Sequence, residues 1–227
     1  MPRDTPGPSL TQSAYENLRA DLLACRLRPG ERLKINELCA ALSVSLGAVR
    51  EALSRLTSEG LVIAEPQRGF RVAPISATEL RDLTEVRIEV EARCLRRAIE
   101  AGSVEWETAI VGAHHLMTRL PEREPDDPGR VNEDWASAHT AFHRALVAGC
   151  GSPWLLRLRE TLYAQSERYR RLSVPLSGGG RDVGGEHRAI MEATLARDAD
   201  RACALLARHF EVTTLILLEA PTLDGED

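Results

Sequence analysis

Beyond Ser76 the chain repeats apolar residues every three or four positions, and its glycines and prolines are concentrated in a few breaks. A backbone patterned this way buries its apolar stripes by packing helix against helix. The periodicity predicts helices at about 76–101, 103–119, 131–149, 152–172, 184–196 and 198–219. Breaks fall at Gly102, at 121–129 and at 173–185. Asp126-Asp127-Pro128 marks an exposed loop, and the glycine run 178–180 a flexible connection. The fold class is mainly α.

On several stripes a polar side chain stands where an apolar one belongs. Arg87 interrupts the stripe Leu80, Leu83, Val90, Cys94. His139 and His143 share a face with Trp135, Phe142 and Leu146. His187 lies with Val183, Ile190 and Thr194, and His209 with Ala202, Leu205, Val212 and Ile216. One histidine on an apolar face is ordinarily a hydrogen-bonded core residue. Four of them, two spaced i,i+4 so that both rings point the same way, form a candidate divalent-metal site, because neutral imidazole is a metal ligand. Arg87 is either a carboxylate receptor beside that site, an i,i+4 partner of Glu91, or a side chain that snorkels to the surface. His114 and His115 are adjacent, cannot share a face, and read as ordinary helix residues. Arg144 and Arg188, each directly after a histidine, point outward.

The first 75 residues are built differently. Ala14, Leu18, Leu22 and Cys25 give amphipathic spacing over 11–26, and Arg28-Pro29-Gly30 stops that helix. A short helix over 34–42 turns Leu38 and Leu42 inward. Ser43-Val44 makes a tight turn, and Ser45 caps a third helix carrying Val49, Ala52, Leu53 and Leu56 and ending at Gly60. Two β-prone pieces, Leu61–Ala64 and Phe70–Ala73, flank the turn 65–69. This is the layout of a winged helix-turn-helix. The outward face of its third helix offers Ser45, Gly47, Arg50 and Ser54 to a major groove, and Arg68 with Gly69 forms a positive tip for minor groove or backbone. Lys34 and Asn36 are secondary candidates. The competing role for Arg50 is a salt bridge on its own surface.

Net charge is −5, but its distribution is uneven. Residues 1–75 carry ten basic and eight acidic side chains, net +2, and the remainder is −7. A mildly positive head on an acidic body is compatible with local DNA contact. The five cysteines are scattered without CxxC spacing, which fits reduced thiols. No apolar run approaches the roughly 20 residues of a membrane span. Met1–Ser9 lacks the apolar core of a signal peptide. The expectation is a cytoplasmic protein with no membrane partner.

The segment LRPGERLKINELCAALSVSLGAVREALSRLTSEGLV, followed by PQRGFRV, resembles the DNA-binding domain of GntR-type bacterial transcription regulators. Two positions depart from the family pattern: Leu46 stands where arginine is usual and Ala48 where proline is usual. HTAFHRAL, EHRAI and a histidine 22 residues after the second resemble the FCD, or FadR-like, effector domain of that family. The resemblance implies a helical bundle holding a divalent metal, with His143, His187 and His209 on its three histidine positions. His139 departs, standing where the family usually has Asp or Asn. A neutral ring there favours Zn²⁺ or Ni²⁺ over harder ions, or else His139 leaves the first shell.

The domains implied are 1–75, a winged helix-turn-helix, and 76–227, a helical effector-binding and dimerisation domain. The reading is a ligand-controlled transcription regulator, commonly a repressor in this family, that binds operator DNA as a homodimer and senses a small carboxylate at its metal and Arg87. One recognition helix reads few base pairs, so useful specificity calls for two half-sites. A regulator in which the ion itself is the signal is the alternative. A metalloenzyme is disfavoured, because its only evident general base, Glu186, lies about 100° around the helix from His187.

Overall fold

The computed structural model describes residues 9–177 and 180–219. Gly178 and Gly179 of the glycine run and residues 1–8 of the amino-terminal stretch lie outside them. The chain divides into two compact units, Met1–Ile75 and Ser76–Asp227.

The first unit packs three helices on a small sheet. Helix α1 (Leu10–Leu23) starts at Ser9, whose hydroxyl accepts from the Gln12 amide, and buries Ala14, Leu18 and Leu22. It ends before Cys25, which takes a left-handed φ of 53°, so it stops short of the expected residue 26. Strand β1 (Arg32–Leu33) follows, then α2 (Ile35–Leu42), α3 (Leu46–Ser58), β2 (Val62–Glu65) and β3 (Gly69–Val72). Ser43 at φ 53° makes the turn into α3, where the Ser45 hydroxyl caps the Ala48 amide.

The sheet is antiparallel in the order β1-β3-β2, with Val62 opposite Val72 and Leu33 opposite Phe70. Strand β1 has no counterpart in the sequence reading, because two residues are too short for any periodicity. At the hairpin tip Gln67 and Gly69 both take positive φ (61° and 91°). Only glycine adopts the second freely. Val49, Ala52, Leu53 and Leu56 of α3 meet Leu18, Leu22 and Val72 in one core.

The second unit is all helix except for one isolated antiparallel bridge, Arg123 to Val131, among the described residues. Its helices are α4 (Ala77–Ala101), α5 (Val104–Thr118), α6 (Glu133–Val147), α7 (Pro153–Leu176), α8 (Val183–Leu195) and α9 (Ala199–Leu218). Each begins at a side-chain cap: Ser76, Ser103, Asn132, Ser152, Asp182 and Asp198. Val131 is drawn into the bridge, so α6 starts after the expected residue 131. Helix α7 overruns its expected end at 172 and carries Pro175 in its last turn. A proline there forfeits a single backbone bond, and the turn is held by the Ser173 hydroxyl on the Arg170 carbonyl and the Ser177 amide on the Ser173 carbonyl.

Helix α4 lies against α7 and α9, α5 against α6, and α8 against α9. The apolar core runs through Leu95, Ile110, Phe142, Leu146, Ile190 and Leu206. Among the described residues no helix is long and apolar enough to cross a membrane.

Candidate metal centre and nucleic-acid interface

The four stripe histidines converge. His139 and His143 come from adjacent turns of α6, His187 from the first half of α8 and His209 from the middle of α9; all are buried. One ring nitrogen from each lies within 4.8 Å of all the others. Nε2 of His143 and Nε2 of His187 are 3.3 Å apart. Ligand nitrogens around one ion at about 2.0–2.1 Å stand roughly 3–4 Å from one another, so the set is close to what a single cation needs. Trp135 stacks on His139 at 4.9 Å between centroids, and Phe142 meets the edges of His143 and His187.

Neighbouring groups orient the rings. The Tyr163 hydroxyl donates to Thr140 Oγ1, so it is free to accept Nδ1–H of His139 at 3.3 Å. That leaves the His139 Nε2 lone pair bare. Nδ1 of His209 lies 2.6 Å from the Glu186 carboxylate, which likewise turns its Nε2 into the cluster. Arg181 holds Glu186 through two bonds of 2.8 and 2.7 Å and also donates to the His209 carbonyl. Among the described residues Nδ1 of His143 has no hydrogen-bond partner.

Burial holds His139, His143 and His187 well below the ordinary histidine range, and the other rings and nearby arginines add to it. Burial lowers His209 too, with Glu186 opposing. The rings are therefore neutral at physiological pH, the protonation state a metal requires. Burial alone would raise Glu186, but hydrogen bonds from Arg181 and His209 bring it down to about 2. The helical angle does carry Glu186 off the His187 face. It meets His209 of the next helix instead, as an ionised, fully engaged carboxylate with no use as a base.

A cavity of about 30 Å³ adjoins the cluster. Its walls are Leu80, Thr84 and Arg87 of α4, Ser166, Tyr169 and Arg170 of α7, and His209, Phe210, Thr213 and Thr214 of α9, with His139 at the cluster end. Arg87 is buried, its guanidinium 3.8 Å over the Phe210 ring. Both nearby alternatives for it are resolved: it does not snorkel, and its Nε lies 3.6 Å from Glu91, an ionic contact too long for a hydrogen bond. Glu91 is bonded instead to Arg159 at 3.0 Å. Among the described residues Arg170 Nη1 also lacks a hydrogen-bond partner, while the rest of that guanidinium binds Glu167.

Tyr163, Ser166 and Arg170 were not anticipated. Their signal was present: Tyr163, Glu167 and Arg170 recur at intervals of four and three on α7, a polar stripe that only a buried network explains. Arg181 lay in a segment read as a break. His115 is exposed and Arg144 pairs with Glu160 at the surface, whereas His114 is buried against Phe142.

In the first unit Ser45, Gly47, Arg50 and Ser54 are exposed together along α3, as are Arg68 and Gly69 at the hairpin tip. Arg50 enters no ion pair among the described residues, unlike Arg55, which stacks on Tyr15 and binds Gln12. Lys34 and Asn36 are exposed at the start of α2, and Lys34 pairs with Glu37. Leu46 is 45% exposed beside Arg50. Residues 10–72 match the gntR family of bacterial regulatory proteins, and 82–212 match the FCD domain.

The chain is a GntR-family regulator with an FCD domain.

This regulator is 42% identical to the HTH-type transcriptional regulator BphR of Paraburkholderia xenovorans, over 89% of this chain and 83% of that one. It is 35% identical to the HTH-type transcriptional repressor GlaR of Escherichia coli, over 91% and 94%. Among solved structures, E. coli McbR/YncC shares the fold at TM-score 0.75 and 21% identity, covering 93% of this chain and 98% of that one. A GntR regulator from Rhodococcus sp. RHA1 does so at 0.74 and 24%, covering 94% and 99%. The GntR protein is thus a DNA-binding transcription regulator and not an enzyme.

Proposed function

We propose that this regulator holds a divalent metal on His139, His143, His187 and His209 and uses it, with Arg87, to bind a small organic acid that controls operator affinity. The observation that carries the reading is the convergence of four buried, neutral imidazoles from three helices. An all-nitrogen set favours zinc or nickel.

The surrounding charge explains the acid. Neutral rings leave the charge of a bound cation uncompensated. Arg87 and Arg170 stand on the cavity wall beside it; Glu91 is shared between Arg159 and Arg87, and Glu167 and Glu186 are engaged by Arg170 and Arg181. An anion with one oxygen toward the metal and another toward Arg87 balances that excess. The acid enters beside the Thr84–Thr214 hydroxyl contact, which joins α4 to α9 at 2.7 Å, and parts the two helices there. Differential affinity for the closed and open forms is what a ligand needs to shift an equilibrium.

At the DNA end, Ser45, Gly47 and Arg50 enter the major groove, Arg68 and Gly69 the minor groove or backbone, and Lys34 with Asn36 add contacts at the edge. Two copies read two half-sites, and the protein works in the cytoplasm as a repressor released by its ligand. The small cavity favours one second reading, in which the metal ion alone is the signal.

Elemental analysis and a mobility shift on operator DNA test both. The wild type should purify with about one zinc or nickel per chain, and the His187→Ala/His209→Ala protein with little. Carboxylates should weaken operator binding only in the metal-loaded protein. Wild-type metal content in the double variant removes the cluster from the reading, and a metal response that no acid modifies selects the second one.

A further inference from the structure

Helix α3 begins with a side chain that its own fold does not use. Leu46 is its first residue, 45% exposed, and stands outside the apolar core of the first unit, which draws on Val49, Ala52, Leu53 and Leu56 of the same helix. Among the described residues of that unit, the other large apolar side chains left exposed are Leu10 on α1 and Ile63 on β2. A lone exposed leucine is ordinary on a protein surface. This one is set among Ser45, Gly47 and Arg50, at the end of α3 that a recognition helix turns to the base edges.

Gly47, the next residue, keeps the space beside Leu46 clear. Glycine within a helix is less favourable than alanine, and neither backbone nor packing demands it here. Its φ is not positive, and a Cβ would meet nothing closer than the Ser45 hydroxyl at 3.9 Å. The gap faces outward, where a base edge can come close. Arg50 lies one turn further along the same face, exposed and in no ion pair among the described residues. Four residues rise about 6 Å along a helix, less than two of the roughly 3.4 Å steps of a DNA strand. The two side chains therefore reach base pairs one or two steps apart.

Leucine has no hydrogen-bond donor or acceptor in its side chain. Against adenine, guanine or cytosine it would cover N7, O6 or amino groups and return no hydrogen bond. Thymine alone presents a methyl group in the major groove, and apolar surface buried against that methyl is favourable. We infer that Leu46 is a specificity-determining residue that reads the 5-methyl group of a thymine, one or two base pairs from the contact of Arg50. The inference rests on the groove placement of α3 proposed above and names the base which that placement selects.

Selection from a random-sequence duplex pool by the full chain, followed by mobility shifts on the selected duplex, tests it. Circular dichroism confirms that each variant is folded. The wild type should enrich a thymine at a fixed position of the selected site. Replacing that thymine by deoxyuracil, which removes the methyl group and nothing else, should weaken binding about four-fold, the worth of one buried methyl. Leu46→Ser should bind the thymine and uracil duplexes alike. Leu46→Arg should move the selected base toward guanine, to which arginine donates two hydrogen bonds. A wild type indifferent to uracil at every selected thymine, or a uracil effect that persists in Leu46→Ser, overturns the role of Leu46; the placement of α3 then stands if Arg50→Ala still loses binding. Leu46→Ser and Arg50→Ala proteins that both select the wild-type sequence with wild-type affinity overturn that placement as well.

Discussion

Glu91 is the buried carboxylate on which two guanidinium groups depend, and replacing it by glutamine separates charge from shape. Its side chain is 1% exposed; Oε2 is 3.0 Å from Arg159 Nε and Oε1 is 3.6 Å from Arg87 Nε. Arg159 keeps a second partner, Glu160, at 2.7 Å, whereas Glu91 is the only carboxylate to which Arg87 is ion-paired among the described residues. Removing one member of a buried pair costs about 3–5 kcal/mol, chiefly through the charge left behind. Glu91→Gln should fall in that range.

Arg159→Met should cost less, roughly 1–3 kcal/mol, since Arg87 remains to serve Glu91. The double variant should show coupling of about 1–3 kcal/mol. The three tryptophans, Trp106, Trp135 and Trp154, all lie in the second unit, so urea unfolding followed by their fluorescence reports that unit alone. Protein concentration must be held constant, because self-association, where it occurs, shifts apparent stability. A Glu91→Gln cost under about 1 kcal/mol, or strictly additive single effects, would refute the claim that this carboxylate holds the polar core together.

Glu186→Gln weakens the acceptor that orients His209, so metal affinity should fall about 10- to 100-fold in competition with a chromophoric chelator; an unchanged constant contradicts the orienting role. Arg50→Ala should lower operator affinity about ten-fold or more without changing the circular dichroism spectrum, and wild-type binding would remove Arg50 from the groove. Acid should destabilise chelator-treated protein. The unfolded chain binds protons at histidines near pH 6.5, whereas the folded chain, with all four ring pKa values depressed, does not. Their stabilising contribution is therefore complete above pH 6.5 and is lost as pH falls toward the folded values. The slope approaches about 1.4 kcal/mol per pH unit for each ring. Urea midpoints that stay flat between pH 7.5 and 5.5 would mean that the rings are not held neutral.

Much of this was legible before folding. Apolar periodicity marked the helices, Ser45 marked the start of α3, and the turn residues marked the hairpin. The interruption of three apolar stripes by four histidines marked the cluster, because a polar ring on a buried face must have a partner. Misses came where local pattern is thin or tertiary contact overrides it. Strand β1 is two residues paired to a distant strand, and α7 continues through Pro175 because hydroxyls and carbonyls nearby tolerate one missing bond.

Sequence alone determined which faces are buried and which histidine rings lie on them, since those follow from residue type and helical period. It could not determine that Glu186, angled away from His187, would meet His209, or that Tyr163 would free the Nε2 of His139. Those depend on how α8 and α9 cross and on which turn of α7 faces α6, distances set by the packing of the whole bundle. The cavity volume is decided in the same way: every wall residue was present in the chain, but only the packing of α4, α7 and α9 sets how much room is left between them.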